Sequence, residues 1–159
     1  MRWLSSGVIH NLNKGGAILI TKEDWQEIEQ KLKSFYNVVK LNCDGYEISL
    51  TLERLDTMKN GIMVYVNGVI KGEWLTEECE ERRRFYRPIT RSLMSQKQRN
   101  NLKKLPKRTQ NMLIKELKLD RTFTYYSFEW TSFNSLKRHL IKNNTNIELI
   151  RSDKSLEEY

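Results

Sequence analysis

Three Asx-Gly pairs, Asp44-Gly45, Asn60-Gly61 and Asn67-Gly68, fall in one stretch of the chain. Such pairs accept the positive φ angles that tight hairpin turns require. Apolar residues alternate with polar ones around them. Val39, Leu41 and Cys43 precede the first pair, and Tyr46, Ile48, Leu50 and Leu52 follow it. IMVYV lies between the second and third pairs, and VIKGEWL comes after the third. Period-two spacing cut by turn dipeptides predicts strands joined by hairpins. The expected unit is an antiparallel meander of about four strands over residues 38–75.

One face of that meander is apolar and has to be covered. The preceding segment supplies a cover. Thr21 is a good N-cap, and Asp24 three residues on completes a capping box. Trp25, Ile28, Leu32 and Phe35 follow at helical spacing, which predicts a helix at about 22–35 with one face inward.

After Trp74 the spacing becomes helical. Thr76 suits the N-cap of a helix at about 77–86, ended before Pro88. Ser95 and Gln98 form a second capping-box pattern, opening a basic helix to Leu105. Pro106 fits the first turn of a further helix, with Met112, Leu113 and Leu117 on its apolar side. FTYYSF is strand-like. Thr131 or Ser132 caps a last helix carrying Phe133, Leu136, Leu140 and Ile141; Asn143-Asn144 ends it, and IELI adds a closing strand. The fold class is therefore α+β, an antiparallel meander packed by several helices. Gly7, Gly15 and Gly16 mark residues 1–19 as an N-terminal extension. Residues 20–151 read as a single domain and 152–159 as a frayed tail. No internal repeat is visible.

The charge is distributed unevenly. The chain carries a net charge of +8, yet residues 1–81 hold 9 basic and 13 acidic side chains, and residues 116–159 hold 7 of each. Residues 82–115 hold 12 basic side chains and no acidic one. The inversion begins inside ECEERRRFYRP. On a helix, Glu78 precedes Arg82 and Glu80 precedes Arg84 by four residues, a favourable order worth about 0.2–0.5 kcal/mol per pair. Local pairing does not account for the rest. Arg87, Arg91, Lys97, Arg99, Lys103, Lys104, Lys107 and Arg108 have no acid at helical spacing. Either they reach acids elsewhere in the fold or they form an exposed basic face made to hold something negative. Aromatic residues interleave with this block: Phe85, Tyr86, Tyr125, Tyr126 and Trp130. Beside Arg and Lys they suit single-stranded nucleic acid; as ordinary core residues they need no ligand at all.

Other chemistries are poorly supported. His139 falls between core-like Leu136 and Leu140, which fits packing better than general-base work, and His10 lies in the extension. Cys43 and Cys79 stand far apart, without a neighbouring His motif, and read as reduced thiols. No phosphate loop, GxSxG, HExxH or paired CxxC occurs, so the expectation is a non-enzyme with no cofactor and no metal. No apolar run reaches the length of a membrane span, and the first residues lack a secretory pattern, so a cytoplasmic protein is expected.

Three stretches carry a resemblance: ITKEDWQEIEQKLKSFYNVVKLNCDGYEISLTLERL, VYVNGVIKGEWLTEECEERRRFYRPITRSL and WTSFNSLKRHLIKNN. They resemble small phage and prophage proteins of low-GC Gram-positive hosts, over about residues 20–150. Within that setting the length and basic balance resemble type II-A anti-CRISPR proteins, which inhibit Cas9. The resemblance implies a phage-encoded protein in the bacterial cytoplasm whose partner is Cas9, with or without its guide RNA. Many anti-CRISPR proteins are acidic mimics of DNA. A basic chain fits that role badly and would instead favour an acidic nuclease surface, such as the HNH domain, which must move before cleavage. The alternative is a phage nucleic-acid-binding protein using the same 82–115 block.

Overall fold

The computed structural model describes residues 12–13, 17–18 and 20–151. Two short strands, β1 (Leu12–Asn13) and β2 (Ala17–Ile18), pair antiparallel with each other. The remainder of the expected extension and the expected tail lie outside the described residues. Contacts divide the chain into two compact units, one formed by residues up to Arg87 together with Phe128 onward, the other by Pro88–Ser127. The sequence reading took residues 20–151 as one domain. The second unit interrupts it as an insertion between Arg87 and Phe128.

The first unit is an α+β structure, as expected. Helix α1 (Lys22–Lys31) opens with the predicted capping box. The Thr21 hydroxyl accepts from the Asp24 N–H at 3.1 Å, and the Asp24 carboxylate accepts from the Thr21 N–H at 2.9 Å. The helix is shorter than its apolar spacing suggests. Asn37 donates its side-chain amide to the Lys31 carbonyl, satisfying one of the orphan acceptors at the helix end. Phe35 therefore falls beyond the helix and is exposed, while Trp25, Ile28 and Leu32 are buried.

Strands β3 (Val38–Cys43), β4 (Tyr46–Asp56) and β5 (Lys59–Val66) form the meander. Register explains their dry face. Val39 pairs with Leu50, Leu41 with Ile48, Leu50 with Val64, and Ile48 with Val66. All of these are buried, so alternation places a continuous apolar layer on one side. The opposite side is polar, and there Glu53 accepts from the Thr51 and Tyr65 hydroxyls at 2.9 and 2.8 Å.

Two of the three expected turns are hairpin turns. Asp44-Gly45 has φ of 49° and 93°, and Asn67-Gly68 has 50° and 81°, the positive pair of a two-residue hairpin loop. Asn60-Gly61 is not a turn. The chain reverses at Thr57-Met58, after a register shift between Arg54 and Asp56, and Gly61 lies inside β5 opposite Glu53. A β-carbon at Gly61 would come within 2.5 Å of the Leu55 Cδ1 atom, so this glycine serves close packing.

The expected fourth strand, VIKGEWL, is also absent among the described residues. Val69 makes a single bridge to Val66, and the chain then turns into α2 (Glu73–Thr76). The free edge of β5 is taken instead by β8 (Glu129–Trp130). The other edge carries β9 (Ile147–Ile150), the closing strand expected for IELI, paired antiparallel with β3. The sheet order is β8-β5-β4-β3-β9.

Helix α3 (Glu80–Phe85) begins later than expected, with Cys79 rather than Thr76 at the N-cap, because Thr76 closes α2. Helix α6 (Phe133–Asn143) is capped by the Ser132 hydroxyl and buries Leu136 and Leu140, whereas Ile141 faces water. Phe133 meets Trp25 edge-on at 6.2 Å between ring centres, which joins α1 to α6. Each fully buried Leu or Ile here contributes roughly 1.5–3 kcal/mol.

Candidate interaction surface of the Pro88–Ser127 unit

The second unit contains most of strand β6 (Arg87–Ser92), helices α4 (Gln96–Lys103) and α5 (Lys107–Leu117), and strand β7 (Thr122–Ser127). Its local signals act as expected. The Ser95 hydroxyl accepts from the Gln98 N–H at 3.2 Å and Gln98 returns an acceptor to the Ser95 N–H at 2.8 Å. Pro106 stands at the N-cap of α5. Strand β7 takes in all of the strand-like FTYYSF run except Phe128 and pairs with β6 in a two-stranded sheet.

The unit differs from the rest of the protein in two ways. First, it holds ten basic and two acidic side chains, so its charge of +8 equals the excess of the whole chain. The remaining residues balance at eighteen of each sign. Second, none of its side chains is fully buried. Leu93, Leu105, Met112, Leu117, Phe123 and Tyr125 are all exposed. Met112 and Leu117 were expected on a packed side of α5. They instead stand in water, and Met112 has Arg108 and Lys115 one turn away on the same helix.

The predicted site residues fall almost entirely here. Arg91, Lys97, Lys103, Lys104, Lys107 and Arg108 are exposed, and Arg99 is half-buried. Among the described residues no ion pair reaches any of the seven. Arg87 is different. It is half-buried at the end of the first unit and donates to the Thr131 hydroxyl at 3.3 Å, so it is tied into that unit. For the six exposed residues, which meet no acid among the described residues, this arrangement is that of an exposed basic face.

The arginines of ECEERRRFYRP are structural, as far as Arg84 is concerned. Arg84 pairs with Glu80 at 2.7 Å, the expected helical pair, and also with Asp44 at 2.6 Å. Glu78 lies just before the Cys79 N-cap of α3. Burial alone would raise the Asp44 carboxyl. The backbone N–H groups of Thr145 and Asn146 and the Arg84 guanidinium outweigh it and hold the group below its usual range.

The interleaved aromatics divide. Phe85, Tyr86 and Trp130 are core, and the Trp130 indole donates to the Phe85 carbonyl at 3.1 Å. His139 is also a packing residue. Its Nε2 lies 3.0 Å from the Arg83 carbonyl, its ring lies 5.0 Å from that of Trp130, and burial lowers its pKa. Tyr126 is half-buried and Tyr125 is exposed. Sequence reasoning missed Phe123, which stacks on Tyr125 with ring centres 6.0 Å apart. The alternation in TFTYYS, which puts residues 123 and 125 on one face, was the available signal.

Among the described residues no group of three His, Cys, Asp or Glu side chains is placed to hold a metal ion, and no helix is long and apolar enough to cross a membrane. Comparison with protein-family models, with curated proteins and with solved structures finds no match.

Proposed function

We propose that the protein is a phage-encoded inhibitor of a CRISPR-Cas9 nuclease that works in the bacterial cytoplasm by binding rather than by catalysis. The contact is made by the Pro88–Ser127 unit, chiefly by α4 and α5, at or near the HNH nuclease domain. The observation that carries this reading is the mixture on that unit: exposed cations without ion pairs among the described residues, set among exposed aliphatic side chains. Phosphate recognition uses cations and has little need of Leu105, Met112 and Leu117 in water. A protein interface uses both, with apolar side chains at its centre and arginine around them. A basic partner surface fits the acidic ground around a metal-dependent nuclease centre, and complementary charge speeds the encounter. Occupying the HNH domain would also oppose the movement that licenses cleavage.

The test is a Cas9 cleavage assay with Lys103→Glu, Lys104→Glu, Lys107→Glu and Arg108→Glu combined. All four side chains are exposed and free of ion pairs among the described residues, so the circular dichroism spectrum should match the parent. The parent should block cleavage and the variant should not. A folded variant that inhibits as well as the parent would mean that these cations are a solvated face.

A further inference from the structure

The ribbon formed by β6 and β7 carries a recognition chemistry different from that of α4 and α5. The Thr90 and Thr124 hydroxyls lie 3.0 Å apart. The Leu93 N–H donates to the Arg121 carbonyl at 3.0 Å. Both links describe one antiparallel register, with Thr90 opposite Thr124. Side chains alternate across a strand. Ile89 and Arg91 therefore share a face with Phe123 and Tyr125, and Arg91 lies opposite Phe123.

That face presents two rings to water. Phe123 and Tyr125 keep 47% and 41% of their surface exposed. Their planes are inclined by only 27° with ring centres 6.0 Å apart, so the two rings stand as a stacked pair. An exposed aromatic pair on a small unit of charge +8, with a guanidinium on the same face, matches the two requirements for holding a single strand. Aromatic rings take the faces of bases, and cations take the phosphates.

We propose that this face, built from Arg91, Phe123 and Tyr125, binds single-stranded nucleic acid by stacking bases on the two rings. A duplex is a poorer ligand, because its base faces are already stacked on one another. Binding should tolerate changes of sequence, since an aromatic ring reads a π-face that every base has. The proposal uses the ribbon and not the helices, and it stands whether or not the protein inhibits Cas9.

Fluorescence anisotropy with the full chain provides the test. The probes are a labelled thymidine oligomer of about fifteen nucleotides, within the usual site size, and a duplex of the same length. The parent should bind the single strand more tightly than the duplex. Phe123→Ala with Tyr125→Ala should weaken single-strand binding about tenfold or more. The pair Phe123→Trp and Tyr125→Trp should retain it. Both rings are surface groups, so the circular dichroism spectrum should be unchanged in each variant.

Equal affinity for strand and duplex would overturn the proposal, as would an alanine pair that binds like the parent. Either result would reduce the contact to general attraction between opposite charges. Failure of the parent to bind the single strand would also overturn it. If the parent blocks no Cas9 yet binds the single strand through its rings, the inhibitor reading fails and the stacking site stands.

Discussion

Asp44 and Arg84 meet at 2.6 Å although forty residues separate them in sequence. Asp44 sits at positive φ in the β3–β4 turn, and its two carboxylate oxygens also accept from the N–H groups of Thr145 at 2.8 Å and Asn146 at 2.7 Å. Arg84 reaches from α3 to Asp44, to Glu80 and to the Asn144 side chain at 3.2 Å. One ion pair thus ties a hairpin turn, a helix and the entry to β9 together. The side chains are 24% and 19% exposed.

That degree of burial decides the size of the effect. An exposed pair contributes about 0–1 kcal/mol, whereas hydrogen bonds to charged groups that are shielded from water contribute about 1.5–3 kcal/mol. Arg84→Ala should therefore lower unfolding stability by about 2 kcal/mol. Lys40→Ala, which removes a half-exposed pair with Glu47 across the β3–β4 hairpin, should cost less than about 0.5 kcal/mol. Denaturant midpoints of the two variants make the comparison. A coupling near zero between Arg84→Ala and Asp44→Asn in a double-mutant cycle would remove the network from the account.

Gly61 makes a different claim, about space. An alanine there would press its methyl group on the Leu55 side chain. Because the obstacle is the end of a flexible side chain, Leu55 can move, and Gly61→Ala should cost only about 1 kcal/mol. In a Leu55→Ala background the same substitution should be neutral or stabilising, since β-strand interiors disfavour glycine. Thermal unfolding of the four proteins checks this. Equal costs in both backgrounds would mean that Leu55 is not the obstacle.

These two cases show what could be read from sequence and what could not. The chain chemistry of Asp44-Gly45 and Asn67-Gly68 is local, and it alone specifies a hairpin turn. Asn60-Gly61 has the same local chemistry but answers to Leu55, a neighbour across the hairpin. The capping boxes at Thr21 and Ser95 were legible for the same reason as the turns, since each is closed within one turn of helix. The end of α1 was not, because it depends on Asn37 folding back to Lys31. The basic block was visible as composition. Its separation into a unit without a buried side chain was not, because apolar spacing in α5 looks the same whether the stripe packs or faces water. Arg84 looked like one half of a helical pair, and its second partner, Asp44, lies in the β3–β4 turn, which no periodicity connects to it.

Alkaline conditions test the core at Cys43. This residue is fully buried in β3, opposite Tyr46 on one side and Ile147 on the other. Burial pushes its thiol up to about 12; the neighbouring Asp44 charge adds to the effect and Arg84 opposes it. Burial likewise pushes the Tyr86 hydroxyl up to about 12. In the unfolded chain the thiol releases its proton near its ordinary value of 9.0 and the phenol near 10.0. The folded state therefore binds more protons than the unfolded state between about pH 9 and 12. Stability is fully present below that window and is lost as pH rises through it. Cys43→Ala should be less stable than the parent at neutral pH by about 1–2 kcal/mol, because it leaves a small cavity. It should nevertheless lose less stability between about pH 8 and 11, because the proton of the buried thiol is gone. Tyr86 keeps the remaining slope from vanishing, together with Tyr46, raised by burial, and Tyr65, raised by its hydrogen bond to Glu53. Urea midpoints measured across that range for parent and variant give the two slopes directly. A variant that declines as steeply as the parent would mean that the Cys43 thiol ionises in the folded protein as easily as it does in water.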